Sequence, residues 1–164
     1  MIKVILCVLF TAAGGYIGFS IRRRCRRRSE IYKSLCKTCV MLASIMRYER
    51  PPLAEALVSC AKKTDNEINE ALFGYAFYLE APKSPIPKHF CNSNALSDEE
   101  QNEIDDFLKG LGKTDVFGQS EYLTYYEKVF ELHLKESEEQ VKKKGEPAAK
   151  LGILAGVFLS LLTI

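Results

Sequence analysis

The sequence predicts an all-α protein, a helical bundle of about five helices flanked by an N-terminal and a C-terminal transmembrane helix. Three observations carry this. No stretch alternates apolar and polar residues as a half-buried strand would. Between the chain ends, apolar residues recur at steps of three and four. Each end is an uncharged apolar run, bordered on its inner side by a block of basic residues.

The first element spans residues 1–21. From Val4 to Ile21, 18 residues carry no charge, and at about 1.5 Å per residue they form a helix of roughly 27 Å, close to the thickness of a bilayer core. Arg22, Arg23, Arg24, Arg26, Arg27 and Arg28 follow, and only Lys3 precedes. A cleavable secretory signal has the opposite order of charge and apolar core. Carrying six guanidinium groups through lipid costs several kcal/mol apiece, so the block marks the cytoplasmic side and touches anionic lipid, with the N-terminus outside.

Residues 22–146 read as one cytoplasmic helical body. Tyr32, Leu35, Cys36, Cys39, Leu42, Ala43 and Met46 form a stripe on a helix that runs unbroken from the membrane to about Tyr48. Pro51 and Pro52 end it, and Pro52 suits the first turn of a second helix faced by Leu53, Ala56, Leu57 and Cys60. Asp65 or Asn66 caps a third helix carrying Ile68, Leu72, Phe73, Ala76 and Leu79. Residues 80–95, with Pro82, Pro85 and Pro87, read as a loop, either a contact surface or a mobile connection.

Ser97 followed by Glu100 is a capping box, with Asp98 and Glu99 adding negative charge at the positive end of the helix dipole. Ile104, Phe107, Leu108 and Leu111 give that helix its buried stripe, and Gly110 and Gly112 end it. Asp115 caps the last helix, whose Leu123, Tyr126, Phe130 and Leu134 share a face and which runs into Lys135–Lys144. Gly145 and Pro147 mark a bend before the second anchor, residues 147–164. There Leu151–Ile164 is uncharged and Lys142, Lys143, Lys144 and Lys150 sit on its inner side, which puts the C-terminus outside as well; the alternative is a tail that lies in the membrane interface. Gly14 with Gly18, and Gly152 with Gly156, have the spacing that lets helix backbones approach closely, either within one molecule or between subunits of a homo-oligomer.

Residues 29–141 hold 20 of the 21 acidic but only 12 of the 23 basic residues, so the body is about eight charges negative. An acidic body excludes nucleic acid as its ligand, because phosphate binding needs a basic face. Of six cysteines, five fall in the segment assigned to the reducing cytoplasm and Cys7 lies in the membrane run, so free thiols are expected. Cys36 and Cys39 have CxxC spacing, and with His89 and Cys91 they make an alternative reading, a membrane-tethered metal or redox protein. On a helix the pair more simply shares a buried face. His89 and His133 are the only histidines, and neither stands near a nucleophile at a recognisable spacing. No catalytic residue, cofactor or metal is assigned.

Leu96, Ser97, Glu99, Glu100, Ile104, Phe107, Leu111, Gly112, Asp115 and Gln119 together form an L-S-x-E-E, I-x-x-F, L-G-x-x-D-x-x-x-Q arrangement. With a Y-x-x-x-P-L segment at Tyr48, Pro52 and Leu53, and the glycines of both terminal runs, it resembles the stage III sporulation protein AB family of endospore-forming bacteria. In that family an acidic residue tends to lie three before the tyrosine, where this chain has Ile45. The resemblance implies a non-enzymatic membrane component of the channel complex between mother cell and forespore, in the mother-cell membrane. It also implies a reduced form of the type II secretion F-like platform, with an F-protein-like cytoplasmic domain. Its implied partners are the stage III sporulation AA ATPase and other stage III sporulation membrane proteins.

Overall fold

In a computed structural model, the structure describes residues 2–64, 66–81, 87–148, 150, 151, 154, 155 and 158, and the side chains of all of these except 2–8, 10, 11, 66 and 116. Five α-helices follow one another: α1 (Ile2–Tyr48), α2 (Leu53–Ala61), α3 (Asn66–Glu80), α4 (Asp98–Gly110) and α5 (Val116–Gln140). A π-helical turn, Val141–Gly145, continues α5, and among the described residues there is no strand. The chain divides into two compact units, residues 30–134 and a pairing of 1–29 with 135–164.

The 30–134 unit is built on the stripes expected from the 3.6-residue period. Ile31, Tyr32, Leu35, Cys39 and Leu42 of α1 are buried, as are Leu57 of α2, Leu72 of α3, Phe107 and Leu108 of α4, and Leu123 and Phe130 of α5. Aromatic rings join three of these helices. Phe130 meets Phe107 edge-on at 5.2 Å and lies 6.3 Å from Tyr32, arrangements that add about 0.5–1.5 kcal/mol each beyond the area buried.

The segment before α4 is not a mobile connection where it is described. Phe90, Cys91, Ser93 and Leu96 are buried, and Asp105 of α4 holds the segment, accepting from the Phe90 amide at 2.9 Å and lying 3.1 Å from His89 Nδ1. Residues 82–86, with two of the three prolines of that loop, lie outside the described residues, as does Asp65, the alternative cap of α3.

One expectation changes. Among the described residues no helix is long and apolar enough to cross a membrane, so the flanking transmembrane helices at 1–21 and 147–164 gain no support here. Gly145 and Pro147, expected to mark a bend, lie where the helix widens into a π-turn, and residues 146–148 remain helical. The Glu146 amide reaches back five residues to the Val141 carbonyl, and this wider turn accommodates a proline that has no amide to donate and would crowd an ordinary α-turn.

Gly145 lies against α1 within the terminal unit. It is buried, and a Cβ there would stand 3.5 Å from Arg22 Cα and 3.6 Å from Cys25 Cβ. One turn away, Arg28 Nη1 donates to Gln140 Oε1 at 3.1 Å. The arginine block of α1 and the Lys142–Lys144 cluster therefore lie side by side on paired helices.

Candidate functional site

The 30–134 unit gathers most of the motif residues where the end of α1, the start of α2 and the link from α4 to α5 meet. Helix α1 closes when the amides of Glu49 and Arg50 both donate to the Ile45 carbonyl, at 2.9 and 3.1 Å. Arg50 then takes a left-handed conformation at φ 50° ahead of Pro51, a backbone state that costs a residue with a Cβ about 1–2 kcal/mol. Such strain is found where the surroundings over-determine the chain, which makes the turn a place to look for function.

Gly112 answers this turn from the other side. Its φ of 77° is the left-handed state that glycine tolerates, and a Cβ there would come within 2.9 Å of Leu53 Cδ2. The Gly112 amide donates to Gln119 Oε1 at 2.9 Å. Asp115 caps α5 as its position predicts, its Oδ1 accepting from the Gly118 amide at 3.0 Å. Pro52 stands at the cap of α2, Leu111 is buried, and Tyr48 is 79 % exposed. So Tyr48, Pro52, Leu53, Leu111, Gly112, Asp115 and Gln119 belong to one junction, far apart in sequence though they are.

Ser97, Glu100 and Phe107 do other work. The capping box is formed, with the Ser97 amide donating to Glu100 Oε2 at 2.8 Å and the Glu100 amide to Ser97 Oγ at 3.3 Å. The second oxygen of Glu100 accepts from the Tyr32 hydroxyl at 2.7 Å. Tyr32 is fully buried and stacks on His133 at 4.9 Å. A local cap thereby ties α4 to α1, and a charged acceptor makes that bond worth about 1.5–3 kcal/mol. Phe107 is core.

Along the outer side of α4 runs an acidic groove of about 550 Å³, lined by Glu99, Glu100, Glu103, Asp106, Tyr126 and His133. His133 Nε2 lies 3.1 Å from Glu103 Oε2. Across the helix end, Tyr122 donates to the Phe107 carbonyl at 3.0 Å and the Asp106 carbonyl at 3.2 Å. Burial, and after it the neighbouring Tyr126, raises the Tyr122 hydroxyl above its ordinary pKa, which keeps it a donor.

Cys36, Cys39, His89 and Cys91 are not gathered: among the described residues no group of three or more His, Cys, Asp or Glu side chains is placed to hold a metal. His89 is engaged with Asp105, while Cys36 faces Glu131 and Glu127 of α5. Burial, with Glu131 next, pushes the Cys36 thiol up to about 11, and burial, with Glu67 next, pushes Cys91 up to about 12. Cys39 moves the same way, chiefly through burial. Thiols that stay protonated are neither good ligands nor good nucleophiles. The described cysteines are free, and the metal or redox alternative has no assembled site in this geometry.

In the terminal unit, Arg22, Arg23, Arg24 and Arg26 are exposed, Arg27 and Arg28 half-buried, and Lys142, Lys143 and Lys144 exposed. Gly14 is half-buried and Gly18 buried, whereas Gly152 and Gly156 lie outside the described residues. The sequence reading missed Arg47, Arg50 and Phe117, which rim the junction. The one local signal was a proline directly after an arginine at a helix end.

The family model for stage III sporulation protein AB matches residues 3–164. No curated protein and no solved structure matches the chain at a significant level. With the ordered motif distributed over a helical unit and the match running from end to end, the chain belongs to the stage III sporulation protein AB family.

Proposed function

We propose that the chain is a non-enzymatic assembly protein of the mother-cell to forespore channel complex, held in the mother-cell membrane by both ends and docking the stage III sporulation AA ATPase on its helical body. Family membership supports the sporulation role. The docking reading is carried by the acidic groove of α4, where Glu99, Glu103 and Asp106 present negative charge with no Lys or Arg in the lining. A partner with a basic face fits it, and such pairing acts mainly on association rate and specificity.

Anchoring is supported by apolar side chains the fold leaves uncovered. Tyr16, Ile17 and Phe19 are 77, 61 and 60 % exposed, and Leu151, Leu154 and Phe158 are 63, 63 and 64 % exposed. Exposed apolar surface on this scale marks a membrane or a partner. The side-by-side basic blocks place positive charge from both ends at one level, as two helices leaving the same membrane surface require. Both termini then lie outside and the acidic body stays in the cytoplasm, in the manner of a reduced F-like platform.

Co-purification from membranes tests the docking. The wild-type chain is expected to retain the ATPase, and a Glu99→Lys, Glu103→Lys, Asp106→Lys triple variant to lose it. Retention by the triple variant refutes the acidic groove as the contact. A deletion strain is expected to grow normally and fail only in spore formation, and unimpaired sporulation refutes the role.

A further inference from the structure

Two adjoining hollows open at the junction of α1, α2 and the α4–α5 link, sharing Met46 and Arg50. The smaller, about 170 Å³, reaches Gly112, Thr114 and Gln119, and the larger, about 430 Å³, is bordered by Arg47, Phe117 and Glu121. Gln119 is 3 % exposed, and its Oε1 is committed to the Gly112 amide, which fixes how the side-chain amide is turned. Its Nε2 is buried with no hydrogen-bond partner. Leaving a buried N–H unpaired costs about 1–3 kcal/mol, and Gln119 is one of the residues lining the smaller hollow.

The rim has a chemistry of its own. Arg47 and Arg50 are exposed and make no ion pair among the described residues, and Glu121 is the one acid in the two linings. Beside them Phe117 is 82 % exposed. A cationic, aromatic-edged hollow with a buried amide donor stands out on a body that is otherwise acidic.

We propose that this double hollow docks a peptide segment of a partner protein that carries a carboxylate next to an apolar side chain. The carboxylate meets the guanidinium groups of Arg47 and Arg50, which suit it geometrically. The apolar side chain lies against Phe117 and Met46, and a main-chain carbonyl of the segment accepts from Gln119 Nε2. Charge complementarity selects this occupant over a basic one. The site goes beyond the ATPase reading, which puts a basic partner on the opposite-signed groove of α4, so either can fail without the other.

The test is a random dodecapeptide display library panned against the full chain in detergent micelles, with selected peptides resynthesised and their affinities measured by fluorescence polarisation. Asp or Glu adjacent to Leu, Ile or Phe is expected to be enriched. Gln119→Glu keeps an oxygen for the Gly112 amide but removes the inward donor; with its fold verified by circular dichroism, it is expected to weaken binding at least about tenfold. An Arg47→Glu, Arg50→Glu double variant is expected to abolish binding. Failure to select binders, absence of acidic enrichment, or binding unchanged in Gln119→Glu overturns the proposal. So does concentration-dependent self-association of the wild-type chain that Gln119→Glu abolishes, which would make a second copy the occupant.

Discussion

Gly110→Ala isolates one contact on which the α4–α5 packing depends. A Cβ at Gly110 would overlap the Tyr122 hydroxyl and the adjacent ring carbons. That ring lies parallel to Phe107, at 4° and 6.2 Å, while its hydroxyl donates to the carbonyls of Phe107 and Asp106 at the end of α4. Displacing it forfeits hydrogen bonds worth about 1 kcal/mol each, and crowding a packed site costs a further 1–3 kcal/mol or so. Replacing glycine within a helix returns about 1 kcal/mol. The net expectation is a loss of about 2–4 kcal/mol, and for a chain of this size a fall in Tm of about 4–16 °C. Thermal unfolding of the full chain in micelles, followed by circular dichroism, reads it directly. The decisive control is Tyr122→Ala: in that background the overlap is gone, and Gly110→Ala should be neutral or stabilising by about 0.5–1 kcal/mol. An equal cost in both backgrounds would refute the reasoning.

Glu100→Ala is expected to cost about 2–4 kcal/mol, combining the lost cap with the lost Tyr32 bond, whereas Ser97→Ala, which removes only half of the capping box, should cost about 1 kcal/mol by denaturant unfolding. Gly112→Ala combines a left-handed φ with a 2.9 Å approach to Leu53 and should destabilise by about 2–3 kcal/mol; a smaller effect than that of Gly118→Ala would count against it. Burial raises Cys36, Cys60 and Cys91 to about 11, 11 and 12 from a usual 9.0. The unfolded chain therefore releases these protons first, and stability should fall as pH rises above 9 through the folded values, with little change below. Titrating the unfolding midpoint from pH 7 to 10.5 checks the sign. For topology, Lys128→Cys on the exposed side of α5 should react with a membrane-impermeant maleimide only after the cells are opened, and labelling of intact cells would overturn the cytoplasmic assignment.

Particular residues show what was legible in advance. Every helix could be placed from its stripe and its punctuation: Pro51 and Pro52 after α1, the Ser97–Glu100 box before α4, Asp115 before α5. Each of these is a hydrogen bond or steric rule acting within about four residues. Tyr32 was readable as a buried position but not as the partner of Glu100, 68 residues away. Gly145 was legible as unusual, but only the fold shows that it lies against Arg22 and Cys25 of α1. The CxxC spacing suggested a metal, yet Cys36 and Cys39 share a helix face packed toward α5 while His89 is held by Asp105.

The chain's own order of residues determined its class, its helix ends, its charge segregation and its family, since period, capping and net charge are local or additive. Tertiary structure alone decided that Gln119 would hold one half of its amide to Gly112 and leave the other unpaired beside Arg50. It likewise decided that the two basic blocks would stand together at Gly145. Both depend on which distant backbones meet, and that is set by how all the stripes bury one another at once rather than by any stripe read singly.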